Sequence, residues 1–187
     1  MKVALDTSSL LSLVRYYLPF DNDSALYDFF KNKVELGEFL ILDSVAEECR
    51  YLAKGLVSES LLYIKERDNQ VSTKLLFPNK KFMNLLDNNF INRVVKNELS
   101  EIEFETRKSA FLNSADAKLI LCALDYIKKE DDVLIVTEET KSNNDNKGFK
   151  KIPNICQILE IKVLTLPQLL KTYRDIDINI TKKDYLD

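Results

Sequence analysis

At 187 residues, with 45% hydrophobic and 30% charged side chains and only three Gly and four Pro, the chain can bury one full core and does not fit disordered or fibrous classes. A formal net charge of -3 gives no bulk attraction to nucleic acid, so a polyanionic partner would need a local basic patch or bridging cations. Histidine is absent, which excludes imidazole-dependent triads and histidine-held zinc and leaves any hydrolytic chemistry to carboxylates.

In chain order, Lys2 to Leu5 predicts a short strand and Thr7 to Leu18 a helix that Pro19 stops. Phe39 to Leu42 predicts a second strand, followed by a helix from Val45. Between Ser58 and Leu112 apolar residues such as Phe82, Leu85, Leu86 and Phe90 return at helical spacing, and no strand is expected there. Val133 to Val136 and Lys162 to Leu166 predict two further strands. Thr140 to Lys151 is a polar loop, Pro153 opens the next helix, and after Tyr173 the chain becomes polar. The expected organisation is one α/β domain over residues 1–173, with a helical insertion at about 58–112 and a polar tail at 174–187. Apolar strands without polar alternation imply a parallel sheet covered by helices on both faces. Cys49, Cys122 and Cys156 lie far apart in apolar segments and read as core residues rather than disulfides or zinc ligands. No apolar run is long enough to cross a bilayer and no secretory signal opens the chain, so no membrane partner and a cytoplasmic location are expected.

Four acids stand where chemistry is expected. Asp6 follows the first strand at its carboxyl end, where parallel sheets collect ligand-binding groups; the competing reading is that Asp6, Thr7 or Ser8 caps the next helix. Ser44 and Glu47 match the S-x-x-E capping box, which gives Glu47 a structural task. Glu48 falls within about 60° of the stripe Val45, Cys49, Leu52 and Leu56, so it is the acid aimed at the core, unless it bends back to water at the rim. Asp116 sits amid the stripe Leu119, Ile120, Ala123 and Ile127; alternatively Asn113 or Ser114 caps that helix and Asp116 merely complements its dipole. Glu139 comes shortly after the strand Val133 to Val136, with Thr137 able to hold a carboxylate or water, although Glu138 and Glu139 also read as solvated loop charges. Carboxylates gathered at one sheet edge call for a neutralising cation, and all-oxygen ligation suits Mg²⁺ or Mn²⁺.

The segments Leu5-Asp6-Thr7-Ser8, Ser44-Val45-Ala46-Glu47-Glu48, Ala115-Asp116-Ala117 and Val136-Thr137-Glu138-Glu139 resemble, in order and setting, those of PIN-domain nucleases. Arg15-Tyr16-Tyr17-Leu18-Pro19-Phe20-Asp21 and Lys151-Ile152-Pro153-Asn154-Ile155-Cys156 resemble one branch of that family. The likeness covers about residues 1–57 and 109–170. It implies a three-layer α/β/α sandwich and a metal-dependent endoribonuclease like the toxins of bacterial toxin–antitoxin pairs, with RNA as substrate and an antitoxin and a second copy of the chain as partners. Carried over, Asp6, Glu48 and Asp116 become the metal-site acids and Glu139 the fourth catalytic acid, supported by Ser8 and Thr137. Ser8 stands where the family often has Asn, and Glu139 where Asp is commoner. Lys141, Lys147, Lys150 and Lys151, beside the fourth acid, form the expected nucleic-acid patch. Arg93, Lys96, Arg107 and Lys108 form a second candidate patch, interleaved with acids that favour an ordinary solvated face.

Two alternatives stay open: a deoxyribonuclease or flap-type nuclease, since the metal chemistry ignores the 2′-hydroxyl unless a groove reads it, and a non-catalytic PIN-like module that binds RNA or a protein. A haloacid-dehalogenase-type phosphatase needs a second Asp where Ser8 stands and is set aside.

Overall fold

The first strand, β1 (Lys2–Leu5), becomes the centre of the molecule because Val3, Ala4 and Leu5 are all buried, with neighbouring strands on both sides. The computed structural model describes residues 1–141 and 148–173. After β1 come α1 (Thr7–Ser12), a π-helical turn at Leu13–Tyr17, α2 (Ala25–Glu35), β2 (Phe39–Leu42), α3 (Asp43–Tyr51) and α4 (Leu56–Ser60). Then follow β3 (Gln70–Val71), α5 (Lys80–Leu85), α6 (Arg93–Glu98), α7 (Glu101–Asn113) and α8 (Ala115–Lys128). The chain continues through β4 (Val133–Val136), α9 (Ile152–Leu159), β5 (Lys162–Leu164) and α10 (Leu166–Leu170).

All strand pairs are parallel, in the order β3-β2-β1-β4-β5, and helices cover the sheet to give the expected three-layer α/β/α sandwich. Every residue of β2 and β4 is buried, so neither face of the inner sheet meets water. Each large aliphatic or aromatic side chain buried there contributes about 1.5–3 kcal/mol. The chain winds from β1 toward β3 on one side, then returns to build β4 and β5 on the other. The winding therefore reverses between β1 and β4, where open α/β sheets place ligands beyond the carboxyl ends of the strands.

Three sequence expectations need correction. The segment 58–112 is mostly helical but contributes β3, which pairs with β2 at Ile41 opposite Gln70 and Leu42 opposite Val71. A two-residue, half-buried edge strand leaves almost no periodic signal, and this one is fixed from a distance: the Asp43 carboxylate accepts the Thr73 backbone N–H at 3.1 Å and its hydroxyl at 2.6 Å. The last strand ends at Leu164, because Thr165 caps α10 with Gln168 in a capping box. The Ser44/Glu47 capping box does not form. The helix starts two residues earlier than a box would require, at Asp43, with Leu42 as N-cap; the Ser44 hydroxyl is buried without a partner and Glu47 binds Arg50 at 2.8 Å on the surface. A capping box does form at Ser100 and Glu103, where hydrogen bonds from Ser100 hold the Glu103 carboxyl below its usual range.

The three cysteines are free and buried. Pro153 stands in the first turn of α9, as expected. Residues 148–150 are tied to the middle of the chain by a bridge between Ile91 and Phe149, by backbone bonds Asn92 to Gly148 and Lys150 to Phe90, and by Phe111 stacked on Phe149 at 4.6 Å. Among the described residues no helix is long and apolar enough to cross a membrane.

Candidate functional site

Asp6 occupies the N-cap position of α1, and its carbonyl takes the N–H groups of Ser9 and Leu10 at 3.1 Å and the Ser9 hydroxyl at 2.7 Å. Its side chain does not cap. The backbone is still extended there (φ -81°, ψ 154°), and the carboxylate turns toward the neighbouring strand end, only 4% exposed. The backbone N–H of Asp6 donates to the last carbonyl of β4, Val136, at 2.9 Å, so the two strand ends are stitched together at the reversal point. Asp6 Oδ2 accepts the Thr137 hydroxyl at 2.8 Å and the Ser8 hydroxyl at 2.5 Å. Ser8 Oγ also accepts the Glu138 backbone N–H at 3.0 Å, and Thr137 Oγ1 accepts that of Glu139 at 3.1 Å. The two supporting hydroxyls named from the sequence therefore form a collar around Asp6.

Glu48 arrives from α3, which packs against both α1 and α8. The Thr7 hydroxyl, itself buried, donates to Glu48 Oε2 at 2.6 Å across 41 residues of chain. From the sequence Thr7 is read as a possible helix cap and not as a partner of Glu48; the run Thr7-Ser8-Ser9 directly after an acid was the signal available. Glu48 is not buried as expected but stands exposed at the rim. The apolar stripe used to orient it was extrapolated too far, because α3 stops at Tyr51 and Leu52 and Leu56 are both more than a third exposed. Cys49 reports on both acids: burial, then the charges of Glu48 and Asp6, push its thiol up to about 12. Asp6 and Glu48 thus act electrostatically on one point of the structure.

Asp116 is the second residue of α8, partly buried, in the helix that packs on α3. Ser114 caps this helix, accepting the Ala117 N–H at 3.3 Å, so the cap expected as an alternative exists and leaves Asp116 free of that task. Leu119, Ile120 and Ala123 are buried, but Ile127 is 43% exposed. Glu139 has a structural job: its Oε2 accepts the N–H of Ile152, first residue of α9, at 3.0 Å. Glu138 does the same for α10, accepting the Leu166 N–H at 2.6 Å. Tyr17 lies near enough to Glu138 for that charge, after burial, to raise its phenol.

Of the expected basic loop patch, Lys141 is exposed and borders a cavity of about 310 Å³ with Thr137, Glu139, Gln157 and Gln168. Lys150 and Lys151 are partly buried at the start of α9, and Lys147 lies outside the described residues. In the second patch Lys96 donates to the Asp87 carbonyl at 2.7 Å and Lys108 pairs with Asp87 at 2.6 Å and Glu105 at 3.5 Å. Those two lysines are engaged within the protein.

The fit to a divalent cation rests on Asp6, with Glu48 bonded to the neighbouring Thr7. Among the described residues no Lys or Arg forms an ion pair with either acid, and Asp6 Oδ1 has no hydrogen-bond partner. A buried carboxylate served only by hydroxyls suits a hard cation. The wider expectation of three assembled ligands is not met: among the described residues no group of three or more His, Cys, Asp or Glu lies together to hold a metal ion. Magnesium does not need one, since it commonly binds through one or two carboxylates, retained waters and substrate phosphate.

A family model described as a domain of unknown function (DUF4411) matches residues 3–175. No curated protein and no solved structure matches the chain.

Proposed function

We propose that this chain, which belongs to the DUF4411 family, is a divalent-metal-dependent endoribonuclease of the PIN-domain kind, acting in the cytoplasm as the toxin of a toxin–antitoxin pair. The observation that carries the reading is the buried Asp6 carboxylate at the point where sheet winding reverses, with Glu48 bonded to the next residue, Thr7. Asp6 and Glu48 would hold Mg²⁺ or Mn²⁺ together with waters and substrate phosphate, while Asp116, on the helix that packs against α3, is not assembled with them into a three-acid group. When bound, such an ion supplies Lewis acidity at a phosphodiester and a source of nucleophilic water. Ser8 and Thr137 hold the Asp6 carboxylate in one orientation by donating to a single oxygen. Thr7 restrains the longer Glu48 side chain at the rim, where an incoming phosphate can approach. Lys141, beside the sheet edge, is the described lysine best placed to attract the substrate backbone. An RNA substrate, an antitoxin and a second copy of the chain are the partners this reading requires.

The test is RNA cleavage by the purified chain with Mg²⁺ or Mn²⁺, abolished by EDTA and by Asp6→Asn. An Asp6→Asn protein that cuts as fast as the parent defeats the assignment. The specific observation favouring a second reading, a non-catalytic RNA- or protein-binding module, is that no three acids stand assembled among the described residues while Glu139 serves a helix. Calorimetric titration with Mn²⁺ separates the two, since absence of binding supports the module.

A further inference from the structure

Just past α3 the chain turns a corner through three successive left-handed residues, Ala53 (φ 50°), Lys54 (φ 59°) and Gly55 (φ 78°). Glycine takes that region freely, whereas Ala53 and Lys54 are held there against the preference of any residue with a Cβ. The corner closes tightly on the end of α3: a Cβ on Gly55 would stand 3.1 Å from the Arg50 carbonyl oxygen. The result is a cavity of about 390 Å³ bounded by Arg50, Lys54, Gly55, Ser58, Glu59 and Lys65.

The wall carries three cations and one carboxylate, in a chain whose overall charge is -3. Arg50 spends one nitrogen on Glu47, and a guanidinium has donors to spare. Among the described residues Lys54 and Lys65 form no ion pair. Ser58 is only 4% exposed, and its hydroxyl is buried with no hydrogen-bond partner. A buried hydroxyl is normally satisfied, and an orphan one in the wall of a cationic cavity has a donor left for an acceptor from outside the protein. Convergent ammonium, guanidinium and hydroxyl donors are what a phosphate oxyanion takes up.

We propose that this cavity is a phosphate-binding site, in which Lys54, Lys65 and Arg50 supply charge and the Ser58 hydroxyl donates to a phosphate oxygen. The phosphate comes either from the 5′ end of a nucleic acid or from the free anion. Glu59 opposes binding and limits the site to a single phosphate group. The site does not depend on the nuclease reading, because none of its residues belongs to the acidic centre.

The experiment follows the backbone amides of Lys54 to Ser58 by NMR in the isotope-labelled full chain, in EDTA, during titration. The probes are inorganic phosphate and oligoribonucleotides of one sequence with a 5′-phosphate or a 5′-hydroxyl. These amides shift saturably, and Lys54→Gln with Lys65→Gln weakens binding about tenfold or more. Ser58→Ala weakens it about threefold, Glu59→Gln tightens it about threefold, and Asp6→Asn leaves it unchanged. Tighter binding of the 5′-phosphorylated strand than of its 5′-hydroxyl twin assigns a nucleic-acid end as the source. Equal binding of the two strands, with saturation by inorganic phosphate, assigns the free anion. Unmoved amides with all three probes, or undiminished affinity in the folded double lysine variant, overturn the proposal.

Discussion

The carboxyl ends of β1 and β4 lie side by side, and each is followed by acid, yet the acids are used differently. Asp6 comes immediately after β1, on extended backbone between two neighbouring strands, and among the described residues its short side chain is hydrogen-bonded by the hydroxyls of Ser8 and Thr137. Glu138 and Glu139 come two and three residues after β4, and their longer side chains reach the first N–H groups of α10 and α9. Backbone amides at a helix start offer a carboxylate both a hydrogen bond and a favourable dipole, so those glutamates are already compensated. A pair of hydroxyls offers hydrogen bonds and no net charge, which leaves Asp6 the candidate for a cation. Position relative to the strand end, more than acidity itself, separates a structural acid from a candidate chemical one.

Kinetics test that separation most severely. Asp6→Asn is expected to lower RNA cleavage by about a hundredfold or more, whereas Glu139→Gln leaves it within about threefold; equal losses would erase the distinction. Stability comes next: Thr137→Val removes a donor from buried Asp6 and should cost about 1–3 kcal/mol in urea unfolding. An unchanged midpoint would mean that the collar does not hold Asp6. Glu138→Ala or Glu139→Ala should cost less, about 0.3–1 kcal/mol, with the loss seen as faster amide exchange at Leu166 or Ile152. Exchange rates that do not move would remove these glutamates from the helix starts. The smallest effect is expected from Glu47→Ala, under about 0.5 kcal/mol, since among the described residues it forms a half-exposed pair with Arg50. A loss near 2 kcal/mol would restore the capping box that the structure lacks.

How far the sequence alone reached follows the same physical lines. Three of the four strands read from apolar runs, β1, β2 and β4, were legible because burial on both faces demands uninterrupted hydrophobic residues, and the α/β/α layering followed from them; β5 is exposed to half-buried. The edge strand β3 was not, because Gln70 and Val71 owe their pairing to β2 and to the Asp43–Thr73 contact, 30 residues apart. Asp6 and Thr137 were readable because they follow strand ends directly, and Ser8 because it stands two residues after Asp6. Glu48 bonds to Thr7, next to Asp6, but stands at the rim instead of facing the core, since its wheel included residues beyond the end of α3. The S-x-x-E pattern at Ser44 misled because a helix springing directly from Leu42 leaves no room for a cap at Ser44. Glu139's duty to α9 depends on a residue 13 positions away, a relation no local pattern carries.

The contacts that join Ile91 to Phe149 and Phe111 to Phe149 make the helical middle of the chain a poor candidate for trimming. Excising it would strip β3 from the sheet and unmoor the residues that lead into α9, whose first amide is the one Glu139 holds. Any minimal version of this protein must therefore keep its middle, and changes introduced there will be felt at the sheet edge where Thr137 and Asp6 meet.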